Sequence, residues 1–110
     1  MVEQRKLKII WSKTAEIQLQ NTLMYWLKRN GSPSYPQKLY DTISERIELL
    51  SYYPEIGKTT NFRNILQISL GHYSILYRIT DESILIYAVW DNRDNPIKLF
   101  KLLSKKEERG

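Results

Sequence analysis

The sequence predicts an α+β fold in which a strand, a helical hairpin and a three-stranded antiparallel meander follow one another along the chain. Up to Leu50 the apolar residues recur about every fourth position, whereas from Leu66 onward they alternate with polar residues or form continuous runs. The first period is that of an amphipathic helix and the second that of a β-strand. We therefore expect a four-stranded sheet with both helices on one face, followed by a short C-terminal helix after Pro96.

The N-terminal half carries the signals of one strand and two helices. Lys6–Trp11 reads as a short strand that stops at Ser12, a residue type favoured at helix N-termini. The helix after it has an apolar stripe at spacings of four, four, three and one: Ala15, Leu19, Leu23, Trp26 and Leu27. It ends at Gly31 and Pro33. A second apolar face ends before Pro54 and consists of Leu39, Ile43, Ile47 and Leu50. The short connection predicts that these helices form an antiparallel hairpin.

The C-terminal half predicts the meander. After the turn-rich stretch PEIGKTTNFR, Leu66–Leu70 alternates as a strand covered on one face does. The segments YSILYRI and SILIYAVW are apolar at nearly every position, which is typical of central strands buried on both faces, and TDES between them indicates a tight turn at Asp81 and Glu82. We expect the first strand to lie beside Leu66–Leu70 at the sheet edge. The second face of the sheet would then be open and available for function.

Length and composition set limits on the class of protein. A chain of 110 residues suits one domain spanning 1–110. Its 17 Lys and Arg against 12 Asp and Glu give a net charge of +5, which favours polyanionic or acidic protein partners. Without cysteine and with one histidine, a transition-metal site has almost no ligands, and we expect no metal and no cofactor. The N-terminal apolar run is too short for a signal peptide or a membrane span, so a soluble cytoplasmic protein is expected.

Several segments, taken in order, resemble the RelE/ParE superfamily of toxins from type II toxin-antitoxin modules. They are IIWSKTAEIQL, LYDTISERIELLSYYPEIGK, GHYSILYRI and ILIYAVWDNRDNPIKL, of which the closing WDNRDNP is the most specific. The resemblance spans nearly the whole chain. It implies a small toxin that a cognate antitoxin neutralises. Some members of the superfamily cut messenger RNA in the ribosomal A site, while others inhibit DNA gyrase without hydrolysis, so the fold alone leaves the target open.

The ribonuclease branch is matched only in part. Arg93 stands where that branch carries one catalytic arginine, but Ser74 occupies the position of its second arginine and Leu99 that of its terminal tyrosine. Cleavage by a 2′-hydroxyl needs a proton acceptor, a proton donor and cations that stabilise the phosphoryl charge. The candidate catalytic residues are Arg93, Arg63, Arg78 and His72. Each also has a structural interpretation, which for Arg93 is an ion pair with Asp91 or Asp94.

Three functional hypotheses follow. The missing groups favour a ParE-like toxin that stops growth by binding a macromolecular target, with DNA gyrase as the candidate. The alternative is a metal-independent, ribosome-dependent endoribonuclease in which Arg93 acts with Arg63, Arg78 or His72. The third is a member that only binds an antitoxin-like partner. Under all three we expect the antitoxin on the exposed flank of the hairpin and the basic rim of the sheet. Tyr73 and Tyr77 are expected in the core rather than at an RNA-stacking surface.

Overall fold

The computed structural model describes residues 6–108, with side chains through residue 104, and shows an α+β fold of three helices and a five-stranded sheet. The elements in chain order are β1 (Lys8–Trp11), α1 (Lys13–Asn30), α2 (Ser34–Tyr52), a 3-10 turn (Pro54–Ile56), β2 (Lys58–Thr59), β3 (Leu66–Leu70), β4 (Tyr73–Ile79), β5 (Ser83–Asp91) and α3 (Pro96–Glu108). The predicted succession of one strand, two helices and a meander is confirmed.

The helical hairpin begins and ends where the sequence indicates. The Ser12 hydroxyl accepts a hydrogen bond from the Ala15 N–H at 3.0 Å, which caps α1. Gly31 adopts φ 64°, a conformation that glycine reaches without steric cost, and donates its N–H to the Leu27 carbonyl at 3.0 Å. The hairpin packs its apolar faces on one side of the sheet, where Ile43 and Leu50 are fully buried against β4 and β5.

The position of β1 differs from the prediction. The strand order is β1-β5-β4-β3-β2, and β1 runs parallel to β5 with Ile9 opposite Ile84. The free edge of β3 is instead taken by β2, through pairs of Lys58 with Gln67 and Thr59 with Leu66. Because β2 is close to β3 in the chain, pairing the two strands closes only a short loop at little entropic cost. The residues around Lys58 are of types that favour turns, so β2 was not predicted from the sequence. The sheet therefore has five strands rather than four.

The second face of the sheet is covered by α3, so the expectation of an open face is wrong there. Leu103 is 1% exposed and lies in a cluster with Ile65, Leu76 and Ala88. Partly buried residues that pack on this cluster are Phe62, Tyr87, Trp90, Leu99 and Leu102. The spacing of Leu99, Leu102 and Leu103 is that of an apolar helical stripe, which explains why the C-terminal helix folds back onto the sheet.

A one-residue bulge in β5 changes which face its side chains occupy. The register moves from Leu76↔Ala88 to Tyr77↔Ile86, which leaves Tyr87 without a counterpart on β4. Before the bulge Ile86 faces the hairpin core, and after it Ala88 faces α3. Asp91, opposite Tyr73, consequently lies on the hairpin side of the sheet.

Side chains from the start of α1 satisfy the backbone around this bulge. β1 pairs with β5 only as far as Ile86, so the edge of β5 beyond it has no neighbouring strand on that side. The Ser12 hydroxyl donates to the Tyr87 carbonyl at 3.1 Å, and the Gln18 side-chain oxygen accepts from the Val89 N–H at 2.9 Å. These two bonds join the end of β5 to α1 and replace the missing ladder.

Tyr77 links the turn after α2 to the core. Tyr73 and Tyr77 are 4% and 0% exposed, as predicted for core residues. The Tyr77 hydroxyl donates to the Pro54 carbonyl at 2.7 Å and accepts from the Gly57 N–H at 3.0 Å. A Cβ at Gly57 would lie 2.9 Å from the Tyr77 ring and 3.0 Å from the Gln67 carbonyl, so only glycine fits this approach.

The Tyr77→Phe variant tests this link. Removing the hydroxyl leaves the Pro54 carbonyl and the Gly57 N–H without their bond to the side chain, so we expect the free energy of unfolding to fall by about 1–3 kcal/mol in a urea titration. Tyr40→Phe removes an exposed hydroxyl from α2 and serves as the control, with an expected change near zero. Equal stability of the two variants would contradict this role of Tyr77.

Candidate functional site

The four predicted catalytic residues lie at two ends of the sheet. His72 precedes β4, and its carbonyl accepts from the Asn92 N–H at 2.7 Å, next to Arg93. Arg78 lies five residues beyond Tyr73 on β4, or about 17 Å along an extended strand. Arg63 borders a cavity that Leu66 and Ile79 also line, at the same end as Arg78. The fold thus brings Arg93 and His72 to one end and Arg63 and Arg78 to the other.

Arg78, in β4, and Arg93, in the turn after β5, also lie on opposite sides of the sheet. Arg78 alternates in phase with Leu76, which belongs to the cluster under α3. The Arg93 guanidinium instead lies on the hairpin side, 5.8 Å from the Trp26 ring centroid and 5.9 Å from that of Tyr73. The sheet therefore separates these two cations.

Arg93 is held in a cluster that we call the Arg93 corner, formed by Trp26, Tyr73, Asp91 and Arg93. Its guanidinium donates from Nε to Asp91 Oδ1 at 3.0 Å and from Nη2 to Oδ2 at 2.9 Å. Such a two-point contact matches the planar fork of arginine to a carboxylate. The indole N–H of Trp26 donates to the Tyr73 hydroxyl at 2.7 Å. The ion pair with Asp91 that the sequence offered as a structural role for Arg93 is present, while Asp94 lies 3.4 Å from Lys98 instead.

The surroundings of the Arg93 corner shift the pKa values of Asp91 and Tyr73 further from pH 7. The hydrogen bond from the Arg93 side chain is the main cause that lowers the pKa of Asp91. Burial raises the pKa of the Tyr73 hydroxyl. A general acid or base is most effective when its pKa lies near the working pH, so neither shift prepares these groups for proton transfer at neutral pH.

Trp26 is the member of the corner that sequence reasoning assigned only to the apolar stripe of α1. Its ring lies edge-on to Tyr25 and Tyr35, with centroids 5.1 and 4.9 Å away. Its contact with Arg93 depends on the bulge at Tyr87, because only the shifted register turns Asp91 toward α1. No residue type in the sequence marks that bulge, and the corner could not be found from spacing alone.

A second feature is an apolar groove between the two hairpin helices and β1, with a volume of about 530 Å³. We call it the hairpin groove. Its apolar lining consists of Ile9, Trp11, Leu19, Leu23, Ile43 and Ile47, and its polar rim of Glu16, Gln20, Tyr40, Ser44 and Glu48. Glu48 is paired with Lys6 at 2.9 Å, whereas no ion pair joins Glu16 to any of the side chains that the structure describes, those of residues 6–104. The groove lies on the hairpin flank where the sequence placed antitoxin binding.

Two further properties of residues 6–108 concern metal binding and membrane spanning. Among the side chains described in this range, those through residue 104, no group of three or more His, Asp and Glu is arranged to hold a metal ion. None of the helices in this range is both long and apolar enough to span a bilayer.

Comparisons with known proteins agree with the fold. The model of the family described as the ParE toxin of the type II toxin-antitoxin system parDE matches residues 9–96. A chain from the chromosomal ParDE system of P. aeruginosa superposes with a TM-score of 0.69 at 17% identity, over 78% of this chain and 96% of that one. A chain from the RelBE2 toxin-antitoxin complex of Mycobacterium tuberculosis gives 0.59 at 22% identity, over 84% and 98%. A search of curated protein sequences finds no match.

The pH dependence of stability tests the Arg93 corner. Because the folded-state pKa of Asp91 is lowered, its ionised form stabilises the fold above the ordinary value of 3.8, and this contribution is lost as the pH falls through the folded-state pKa. We expect Asp91→Asn to be less stable than the native protein from pH 5 to 7, and the difference to shrink below about pH 4.

Asp81→Asn, in the turn between β4 and β5, is the matched control and should be as stable as the native protein from pH 5 to 7. Denaturant titrations across the pH range measure both variants. A difference between the native protein and Asp91→Asn that stays constant down to pH 2 would contradict the ion pair.

Proposed function

This chain belongs to the ParE toxin family of type II toxin-antitoxin systems, and we propose on that premise that it arrests growth by binding a macromolecular target rather than by cutting RNA. DNA gyrase is the target that we propose, and a cognate antitoxin neutralises the toxin. The likeness to the two solved toxins rests on identities below 25% and supports the fold alone, so the argument for the activity comes from the site.

The proposal rests mainly on the two hydrogen bonds by which the Arg93 guanidinium is paired with Asp91. A catalytic arginine must direct its donors to a phosphate in the transition state. Here Nε and Nη2 both donate to Asp91, whose negative charge would repel a phosphate approaching the same guanidinium. The Trp26 and Tyr73 rings flank the side chain. This arrangement supports a structural role for Arg93.

The remaining candidates do not complete a catalytic set around it. His72 is exposed in the β3–β4 turn, and Arg63 and Arg78 lie at the far end of the sheet. A ribonuclease would need at least one proton-transfer group and its cations within hydrogen-bond distance of one phosphate. Most of the length of β4 separates Arg63 and Arg78 from Arg93. His72 is therefore the one other candidate at the Arg93 end, and no second candidate cation lies there, which favours action through binding.

The hairpin groove is the surface that we propose for the antitoxin. Its apolar side chains line a cleft open to solvent between two helices, the geometry that accepts an apolar helix face from a partner. The solved relatives described above come from toxin-antitoxin systems, which supports a partner of this kind. Because the rim carries Glu16, the docking segment should pair apolar residues with a cation at that end.

The first test compares two activities of the purified chain. We expect it to inhibit plasmid supercoiling by purified gyrase in a dose-dependent manner and to leave messenger RNA on programmed ribosomes uncut. Primer extension detects cleavage within codons in the A site, and gel mobility reports plasmid topology. RNA cleavage that Arg93→Ala abolishes in a folded protein, with supercoiling unaffected by the wild type, would overturn the proposal in favour of the endoribonuclease.

The second test concerns the groove. Tyr40→Asp places a charge on the wall of the groove at a side chain that is already 46% exposed, so folding should be preserved. Desolvation of that charge should weaken antitoxin binding at least about tenfold, or roughly 1.4 kcal/mol, in a calorimetric titration with the protein encoded by the neighbouring reading frame.

Asn21→Asp is the matched control because it adds the same charge to the side of α1 that faces Arg93. Its affinity for the antitoxin should be that of the native protein. Unchanged binding of Tyr40→Asp would place the antitoxin elsewhere on the chain.

A further inference from the structure

The most exposed large apolar side chains in the described structure lie on α3, away from the hairpin. Ile97 is 59% exposed and Phe100 is 60% exposed. They are three residues apart on one helix and therefore share a face, together with Lys101 one turn after Ile97. The other face of α3 packs on the sheet through Leu99, Leu102 and Leu103. Ile97 and Phe100 are therefore not part of the contact between α3 and the core.

A second element contacts one member of this exposed pair. Phe62, in the loop between β2 and β3, packs against Phe100 with ring centroids 5.4 Å apart. The loop and the helix together form an apolar surface, which we call the α3 patch: Phe62, Ile97 and Phe100, with Lys98 and Lys101 at its rim.

The charge around the patch is opposite to that around the hairpin groove. Lys98 lies 3.4 Å from Asp94 in an exposed pair, and Lys101 has no ion-pair partner among the side chains described, those of residues 6–104. The rim of the hairpin groove instead carries Glu16 and Glu48. The patch and the groove also lie on opposite faces of the sheet, because α3 packs on one face and the hairpin on the other. The α3 patch and the hairpin groove therefore differ in charge and in the face of the sheet on which they lie, which is expected if they bind different partners.

From these observations we infer that the α3 patch is the surface through which this protein binds its target, a protein that presents acidic residues around an apolar contact site. This inference rests on the proposed function and adds to it the recognition surface and the chemistry of the partner. A membrane is a poorer fit, because the leucine face that would enter a bilayer is already packed on the sheet. Apolar anchors at the centre with a polar, solvent-accessible rim are typical of protein interfaces.

The test is growth arrest on induced expression without antitoxin, which depends on no assumption about the identity of the target. We expect Ile97→Ser and Phe100→Ser each to raise survival at least tenfold over the native protein. Lys101→Glu should do the same through charge reversal. Met24→Ser, which removes a 50% exposed apolar side chain from α1, is the matched control and should arrest growth as the native protein does.

Antitoxin affinity and thermal unfolding of the same variants complete the experiment. Native-like values for both, alongside lost growth arrest, would support the inference. Variants that still arrest growth would overturn the inference and leave the proposed function standing. Loss of antitoxin binding in Phe100→Ser would assign the patch to the antitoxin, and loss of binding to phosphatidylserine vesicles would assign it to a membrane; either result overturns the inference. A native protein that causes no arrest would remove the proposed function and the inference together.

Discussion

The bonds between the start of α1 and the bulged end of β5 are the constraint on which the site depends. Where β1 stops pairing, Ser12 and Gln18 supply the hydrogen bonds that Tyr87 and Val89 would otherwise lack. Because unpaired backbone groups are costly away from water, these side chains make the bulge tolerable. The bulge in turn directs Asp91 to the hairpin side, and Arg93 follows it into contact with Trp26. The extra residue in β5, Tyr87, thus determines on which side of the sheet Arg93 lies.

This constraint changes how the resemblance to the ribonuclease branch is interpreted. Sequence position alone placed Arg93 at a catalytic location, but position along a strand does not fix the face on which a side chain lies once a bulge intervenes. Paired with Asp91 and flanked by the Trp26 and Tyr73 rings, the 48% exposed Arg93 side chain contacts both the end of β5 and α1. The same residue type at the same strand end therefore need not have the same role in two proteins that share a fold.

The features that local patterns determine were predictable, and those that depend on register were not. Residue type and periodicity predicted three features that the structure confirms: the helix cap at Ser12, the helix end at Gly31 and the burial of Tyr77. The parallel pairing of β1 with β5 was missed because edge placement depends on competition between strands, which no single segment encodes. The cover that α3 gives the second face was missed although the Leu99, Leu102 and Leu103 spacing indicated an apolar face. For the site, the Asp91 pair was foreseen as one alternative, while the role of Trp26 required the three-dimensional register.

In the proposed function, Arg93 is a structural residue of a toxin that acts by binding. Growth arrest and denaturant stability of Arg93→Ala, measured on the same protein at matched expression, test this role most directly. We expect this variant to unfold at a lower denaturant concentration than the native protein and still to arrest growth. Full native stability combined with complete loss of growth arrest would contradict it and would return Arg93 to a catalytic role.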